Sequence, residues 1–306
     1  MSGAFLLVAW LAADPQSAAQ GLRFSATSSL VVLSATAVDK NGHPVQDLRR
    51  EEWSVYEEGR LQKIEHFALA RDSKARVLLL VDASGSMHSE LKAASSKMTA
   101  LQLLSALGPE DEAALAGFDH KYWGVVQFTR DRQKILDAFA ELQPFGSTAL
   151  HDALDKAAHD IASHGEGRRA VVVITDGIDT ASQMAADDVI ARSRALDVPI
   201  YAVSVVSPLD DPRSGIFTGA QRPTGAVESQ PVLRRYAELS GGTAFTVSDF
   251  GGLRAAAAQI VQELKHQYRL GYEPLSGPPR FRRIEVRTSR KGVTIRTRNG
   301  YTPPSS

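Results

Sequence analysis

The chain has no cysteine, which excludes a disulfide scaffold, a zinc ribbon, an iron–sulfur cluster and a thiol nucleophile together. It has no excess of either charge. With 35 basic residues against 35 acidic ones, no global field draws it to nucleic acid or to an anionic membrane. Aromatic residues make up only 7%, and in the arginine-rich C-terminal strands no aromatic pattern suggests a stacking surface for bases. Neither a phosphate-binding G-x-x-x-x-G-K nor a metalloprotease H-E-x-x-H occurs, which removes those NTPase and zinc-protease readings. No apolar run reaches the about 20 residues that a membrane-spanning helix needs.

What is present suffices for a folded protein. The chain has 306 residues, 43% of them hydrophobic and 23% charged, so disorder is not its default. That length lies beyond the roughly 250–300 residues at which single cores stop growing, and it predicts one large domain with a smaller companion. Residues Ala4–Ala13 read AFLLVAWLAA, followed by Asp14-Pro15 and then Ser17-Ala18-Ala19. An apolar stretch of that length ahead of small residues predicts a signal peptide over 1–19, cleavage near Ala19-Gln20, and export to the periplasm or medium.

Downstream, the texture is β-rich, then α/β, then β-rich again. Residues 24–70 carry short strand-like runs separated by tight turns, including Asn41-Gly42. Arg76–Val81 is an apolar run of strand length, as expected of a strand buried on both faces. Leu91, Ala94, Met98 and Leu101 recur at helical spacing, Glu112–Phe118 and Trp123–Phe128 read as strands, and Ala149–Ile161 reads as a second helix. Ala170–Thr175 and Pro199–Val205 are further buried strands with a helix over Val189–Leu196 between them. Strands alternating with helices over 74–266 predict a doubly wound, mainly parallel sheet. Ser207–Gly225, with three prolines and three glycines, reads as an exposed insertion. Residues 268–301 alternate strictly in two places, and their arginines read mainly as a solvated strand face. Neither β segment is large enough to bury a core alone, so the two are expected to pair in one small β-domain beside the α/β domain.

The chemistry gathers in three loops. Asp82-Ala83-Ser84-Gly85-Ser86 follows the first buried strand, Gly146-Ser147-Thr148 precedes the second helix, and Thr175-Asp176-Gly177 ends the next buried strand. Ligands of doubly wound sheets bind outside the carboxyl ends of the strands. Asp82, Ser84, Ser86, Thr148 and Asp176 would therefore meet at one edge. All five are hard oxygen donors, a set that suits Mg²⁺, or Mn²⁺ or Ca²⁺, and suits neither zinc nor copper. With neutral hydroxyls as direct ligands the ion keeps unneutralised positive charge, and a carboxylate from a protein partner is a natural further ligand. The alternative is that these residues only cap helices and turns.

This pattern resembles the metal-ion-dependent adhesion site of von Willebrand factor type A domains, in DASGS at 82–86, the Thr of GST at 148 and the Asp-Gly of VVVITDG at 176–177. The flanking DKNGHPVQDLRREEWSVYEEGRLQKIEHF, YRLGYEP and FRRIEVRTSRKGVTIRTRNGY look like a bacterial exported subfamily in which β segments bracket such a domain. The resemblance implies a metal-dependent protein-binding module that is not an enzyme. A metal-free scaffold and a serine-type hydrolase are the competing readings. The hydrolase lacks a G-x-S-x-G elbow around Ser84, and neither His88 nor His151 falls in a recognisable activating pattern.

Overall fold

The computed structural model describes residues 30–303, apart from 71–73, 166, 206–229 and 248. The expected signal peptide and the insertion at Ser207–Gly225 lie outside the described residues. At the centre is a six-stranded sheet of β5 (Ala75–Asp82), β6 (Glu112–Phe118), β7 (Tyr122–Thr129), β8 (Arg168–Thr175), β9 (Ile200–Val205) and β10 (Ala244–Val247). Their order is β10-β9-β8-β5-β6-β7, and every pairing is parallel except β6 with β7. The antiparallel pair turns at Asp119-His120-Lys121, too short for a crossover, so the last strand must reverse.

β5 shows why the apolar runs become central strands. Val77, Leu79 and Val81 enter the core on one face of the sheet, while Leu78 and Leu80 enter the core on the other. The first face is covered by α1 (Glu90–Ala106), α2 (Arg132–Ala140) and α6 (Phe250–Lys265), and the second by α3 (Leu150–Ser163), α4 (Ala186–Leu196) and α5 (Gln230–Ser240). From β5 the chain crosses to β6 on one side, whereas β8 lies on the other. The sheet thus reverses its winding at β5 and β8, and a crevice opens beyond their carboxyl ends.

The flanking segments build a sandwich of two four-stranded antiparallel sheets. One has the order β13-β1-β11-β4, from β13 (Val293–Arg296), β1 (Val31–Asp39), β11 (Tyr268–Tyr272) and β4 (Ile64–Leu69). The other has the order β14-β12-β2-β3, from β14 (Gly300–Tyr301), β12 (Arg282–Thr288), β2 (Trp53–Glu57) and β3 (Arg60–Gln62). Each mixes strands from before and after the α/β core, as when Leu33 pairs with Leu270 and Val55 with Val286. Leu33, Trp53, Val55, Tyr268, Leu270 and Ile284 fill the space between the sheets, with the Trp53 and Tyr268 rings 4.8 Å apart.

Three details differ from the sequence reading. Helix α1 forms, but its buried face is Lys92, Ser96, Thr99, Ala100, Leu103 and Leu104, while Leu91 and Leu101 of the apolar stripe are exposed. Helices α2 and α5 and strand β10 are additional elements. Several C-terminal arginines turn inward. The Arg282 guanidinium meets Glu57 at 2.8 Å in a buried pair, because Glu57 is itself sealed inside the sandwich. Arg298 donates to the carbonyls of Arg194 (2.6 Å) and Val32 (2.8 Å) and pairs with Asp197 at 3.3 Å. Asp197 in turn accepts from the Ser34 hydroxyl at 3.0 Å, so one polar cluster ties the sandwich to the end of α4.

Candidate metal centre

The three loops named from sequence come together at the carboxyl edge of the central sheet, stitched by their own backbones. Phe145 N–H donates to Ala83 C=O (2.8 Å), and Gly85 N–H donates to Gly146 C=O (2.9 Å). Thr148 C=O accepts from the N–H groups of Thr180 (2.8 Å) and Ala181 (2.9 Å), while its own N–H donates to the Thr180 hydroxyl (2.9 Å). Two glycines make this stitching possible. Gly146 has φ +82°, a left-handed conformation that other residues adopt only at a cost, and a Cβ on Gly85 would lie 3.2 Å from the Gly146 carbonyl.

Asp82 is buried at the end of β5, and both carboxylate oxygens are held. Oδ1 accepts from Ser84 N–H at 2.9 Å, and Oδ2 accepts from the Thr175 hydroxyl at 2.5 Å. Thr175 accepts in turn from Gly177 N–H at 2.8 Å, which shapes the turn beyond Asp176. Burial pushes the Asp82 carboxyl up to about 6; the hydrogen bonds from Ser84 and Thr175 oppose that rise, and the nearby Asp176 charge adds to it. The Ser84 and Ser86 hydroxyls lie 3.1 Å apart, Ser84 buried and Ser86 exposed. Thr148 is buried, so it is not a freely exposed loop residue.

Asp176 is fully buried and meets a residue that sequence reasoning missed. The Lys92 ammonium, on the first turn of α1, donates to Asp176 Oδ2 at 3.0 Å. Thr175 was missed too, having been read only as the last residue of a strand. Each left a signal: Thr175 is a hydroxyl at the end of an otherwise aliphatic run, and Lys92 is a cation on a helical turn whose dipole disfavours one.

The donor chemistry fits a hard divalent ion. Oxygens adjacent in an octahedron around Mg²⁺, with bonds of about 2.0–2.1 Å, lie about 2.9 Å apart, close to the separation of the two serine hydroxyls. Among the described residues no group of three or more His, Cys, Asp or Glu side chains could hold a metal. An ion at this edge would therefore depend on hydroxyl donors, as Ser84, Ser86 and Thr148 offer. His88 is exposed on the short turn before α1, and His151 Nδ1 lies 2.9 Å from the Tyr236 hydroxyl with Nε2 3.8 Å from Asp179.

Residues 77–178 match the family model of the von Willebrand factor type A domain. The chain carries a von Willebrand factor type A domain. A UPF0353 protein of Mycolicibacterium paratuberculosis is 25% identical over 236 residues, covering 67% of this chain and 64% of its own length. The chain thus spans under two thirds of that curated relative. A von Willebrand factor type A structure from Catenulispora acidiphila shares the fold with a TM-score of 0.51, at 13% identity, covering 89% of this chain and 73% of that one. Proximal thread matrix protein 1 from the mussel byssus, in a structure whose adhesion-site motif is occupied by zinc, has a TM-score of 0.50 at 18% identity, covering 69% of this chain and 50% of that one. The matched segment contains all three loops, and the type A core is flanked here by the β-sandwich. Among the described residues no helix is long and apolar enough to cross a membrane.

Proposed function

We propose that this is an exported, non-enzymatic protein-binding module whose type A domain holds a divalent ion, Mg²⁺ or a similar hard cation, and captures an acidic residue of a partner protein. The observation that carries this reading is the convergence of three loops rich in oxygen donors at the carboxyl edge of the paired strands β5 and β8, where the winding of the sheet reverses. Ser84, Ser86 and Thr148 would hold the ion through their hydroxyls, while Asp82 and Asp176 would balance its charge and orient the loops. When bound, the ion supplies positive charge for a partner carboxylate. The zinc-occupied motif of the mussel protein supports a metal at this edge in this fold without fixing the ion here.

The surroundings favour a partner segment in which the acidic residue is flanked by apolar side chains. Phe145, next to the Gly146-Ser147-Thr148 loop, is 79% exposed although its N–H is fixed to Ala83. Beside it a groove of about 260 Å³, lined among others by Met87, Phe139, Leu142 and Pro144, runs between the loops and the α1–α2 pair. Exposed apolar surface rimmed by polar residues marks interaction sites, and aromatic residues are enriched at interfaces.

Selecting random peptides on the immobilised full chain, in Mg²⁺ and separately in EDTA, tests the reading. Peptides enriched only in Mg²⁺ should carry Asp or Glu beside apolar residues. Enrichment that survives EDTA, or that ignores acidic residues, would contradict it.

A further inference from the structure

Lys92 stands where elementary electrostatics disfavours a cation. Its side chain is only 8% exposed, and its own N–H, bonded to the Ser89 hydroxyl at 3.3 Å, belongs to the positively polarised first turn of α1. Desolvation and the helix dipole both oppose a charge here. What compensates them is Asp176, 0% exposed, whose Oδ2 receives the ammonium at 3.0 Å. Asp176 also lies close enough to Asp82 for their charges to repel. Two buried carboxylates therefore lie near each other, and the Lys92 ammonium meets one of them.

We propose that Lys92 is the resident cation of the metal-free site, bracing its loops in the absence of an ion and lowering the affinity for a divalent ion by neutralising Asp176. This rests on the metal reading given above and adds a residue to it. With Lys92 bound, the two carboxylates and one ammonium leave a single net negative charge; without it, two. A divalent ion entering beside Lys92 meets either a repelling ammonium or a carboxylate oxygen already engaged. Both routes weaken metal binding, and both leave the empty site folded. Lys92 is a positioning residue in this account, acting through Asp176 and not by touching the ion.

The test is a calorimetric titration of the full chain with Mn²⁺ and with Mg²⁺, for wild type, Lys92→Met, Lys92→Gln and Lys92→Arg, alongside thermal melts in EDTA and in metal. Removing the charge should raise metal affinity roughly tenfold or more, as expected for deleting a like charge a few ångströms from an ion in a partly desolvated site. It should also lower the melting temperature in EDTA, and added metal should restore most of that loss. Lys92→Arg should stay near wild type in affinity. Lys92→Gln, whose amide still donates to Asp176, serves if Lys92→Met does not fold in EDTA. Affinity unchanged or weakened in a folded Met or Gln variant, while wild type binds metal, overturns the role of Lys92 alone. Absence of metal binding in wild type and all variants overturns the metal reading, and this proposal with it.

Discussion

Burial holds the Asp82 carboxyl at about 6, so the metal-free site carries a cost that depends on pH. Between the ordinary value near 3.8 and about 6, the folded protein binds a proton that the unfolded chain has released. Stability of the metal-free protein therefore falls as pH rises through that window, by about 3 kcal/mol in all if the full shift is expressed. Asp82→Asn buries no carboxylate but turns an amide N–H₂ toward a donor from which Asp82 accepts, so the difference in melting temperature between the two proteins in EDTA should shift in favour of the variant as pH rises from about 4 to about 7.5. A pH series of melts on both proteins checks this, and a constant difference at every pH would contradict it. Thr175 has the opposite character. Its hydroxyl donates to Asp82 and accepts from Gly177, so Thr175→Val leaves two buried groups without their partner and should cost about 1–3 kcal/mol. Denaturant unfolding in EDTA measures that loss. At Phe145 the expectation separates binding from folding. Phe145→Ala should leave stability within about 0.5 kcal/mol, because the ring is exposed, while weakening captured peptides at least tenfold.

At the scale of elements, the central strands and the three loops were legible because their signals are local. An aliphatic run ending in Asp-x-Ser-x-Ser or Thr-Asp-Gly states both the strand and what lies at its end. Helix α2 was not legible. Only Ile135 and Phe139 of its nine residues are buried, too few to impose a period among charged neighbours. For α1 the helix was readable and its face was not. Lys92, Ser96 and Thr99 turn inward, toward Asp176 in the case of Lys92, while the apolar stripe stays near the surface beside α2. Loop stitching gives this scale its own prediction. Gly146→Ala forces a side chain into a left-handed conformation, costing roughly 1–2 kcal/mol, and it should loosen metal binding more than stability alone explains, because Gly146 C=O anchors Gly85. Melts and metal titration on that variant, with a surface Gly59→Ala control also at positive φ, separate the two effects.

At the scale of the whole molecule, the sandwich and the type A domain share the chain in an order that makes them interdependent. β1 lies between β11 and β13, so the N-terminal segment borrows its neighbours from the far end of the sequence. That pairing was inferable from size alone. The inward arginines that fasten it were not, since alternation in β12 and β13 reads the same whether an arginine meets water or a buried carboxylate. A chain ending at Gln267 should expose residues 30–69 to protease, and protection there would contradict the shared sandwich. The central claim, a metal-dependent binding edge, is tested most directly by calorimetric titration of the intact chain with Mg²⁺ or Mn²⁺, comparing wild type with Asp82→Asn. One ion per chain in wild type, with affinity lowered at least about 10–100-fold in the variant, is the result predicted. Equal affinity in the two proteins, or no binding in wild type, would contradict it.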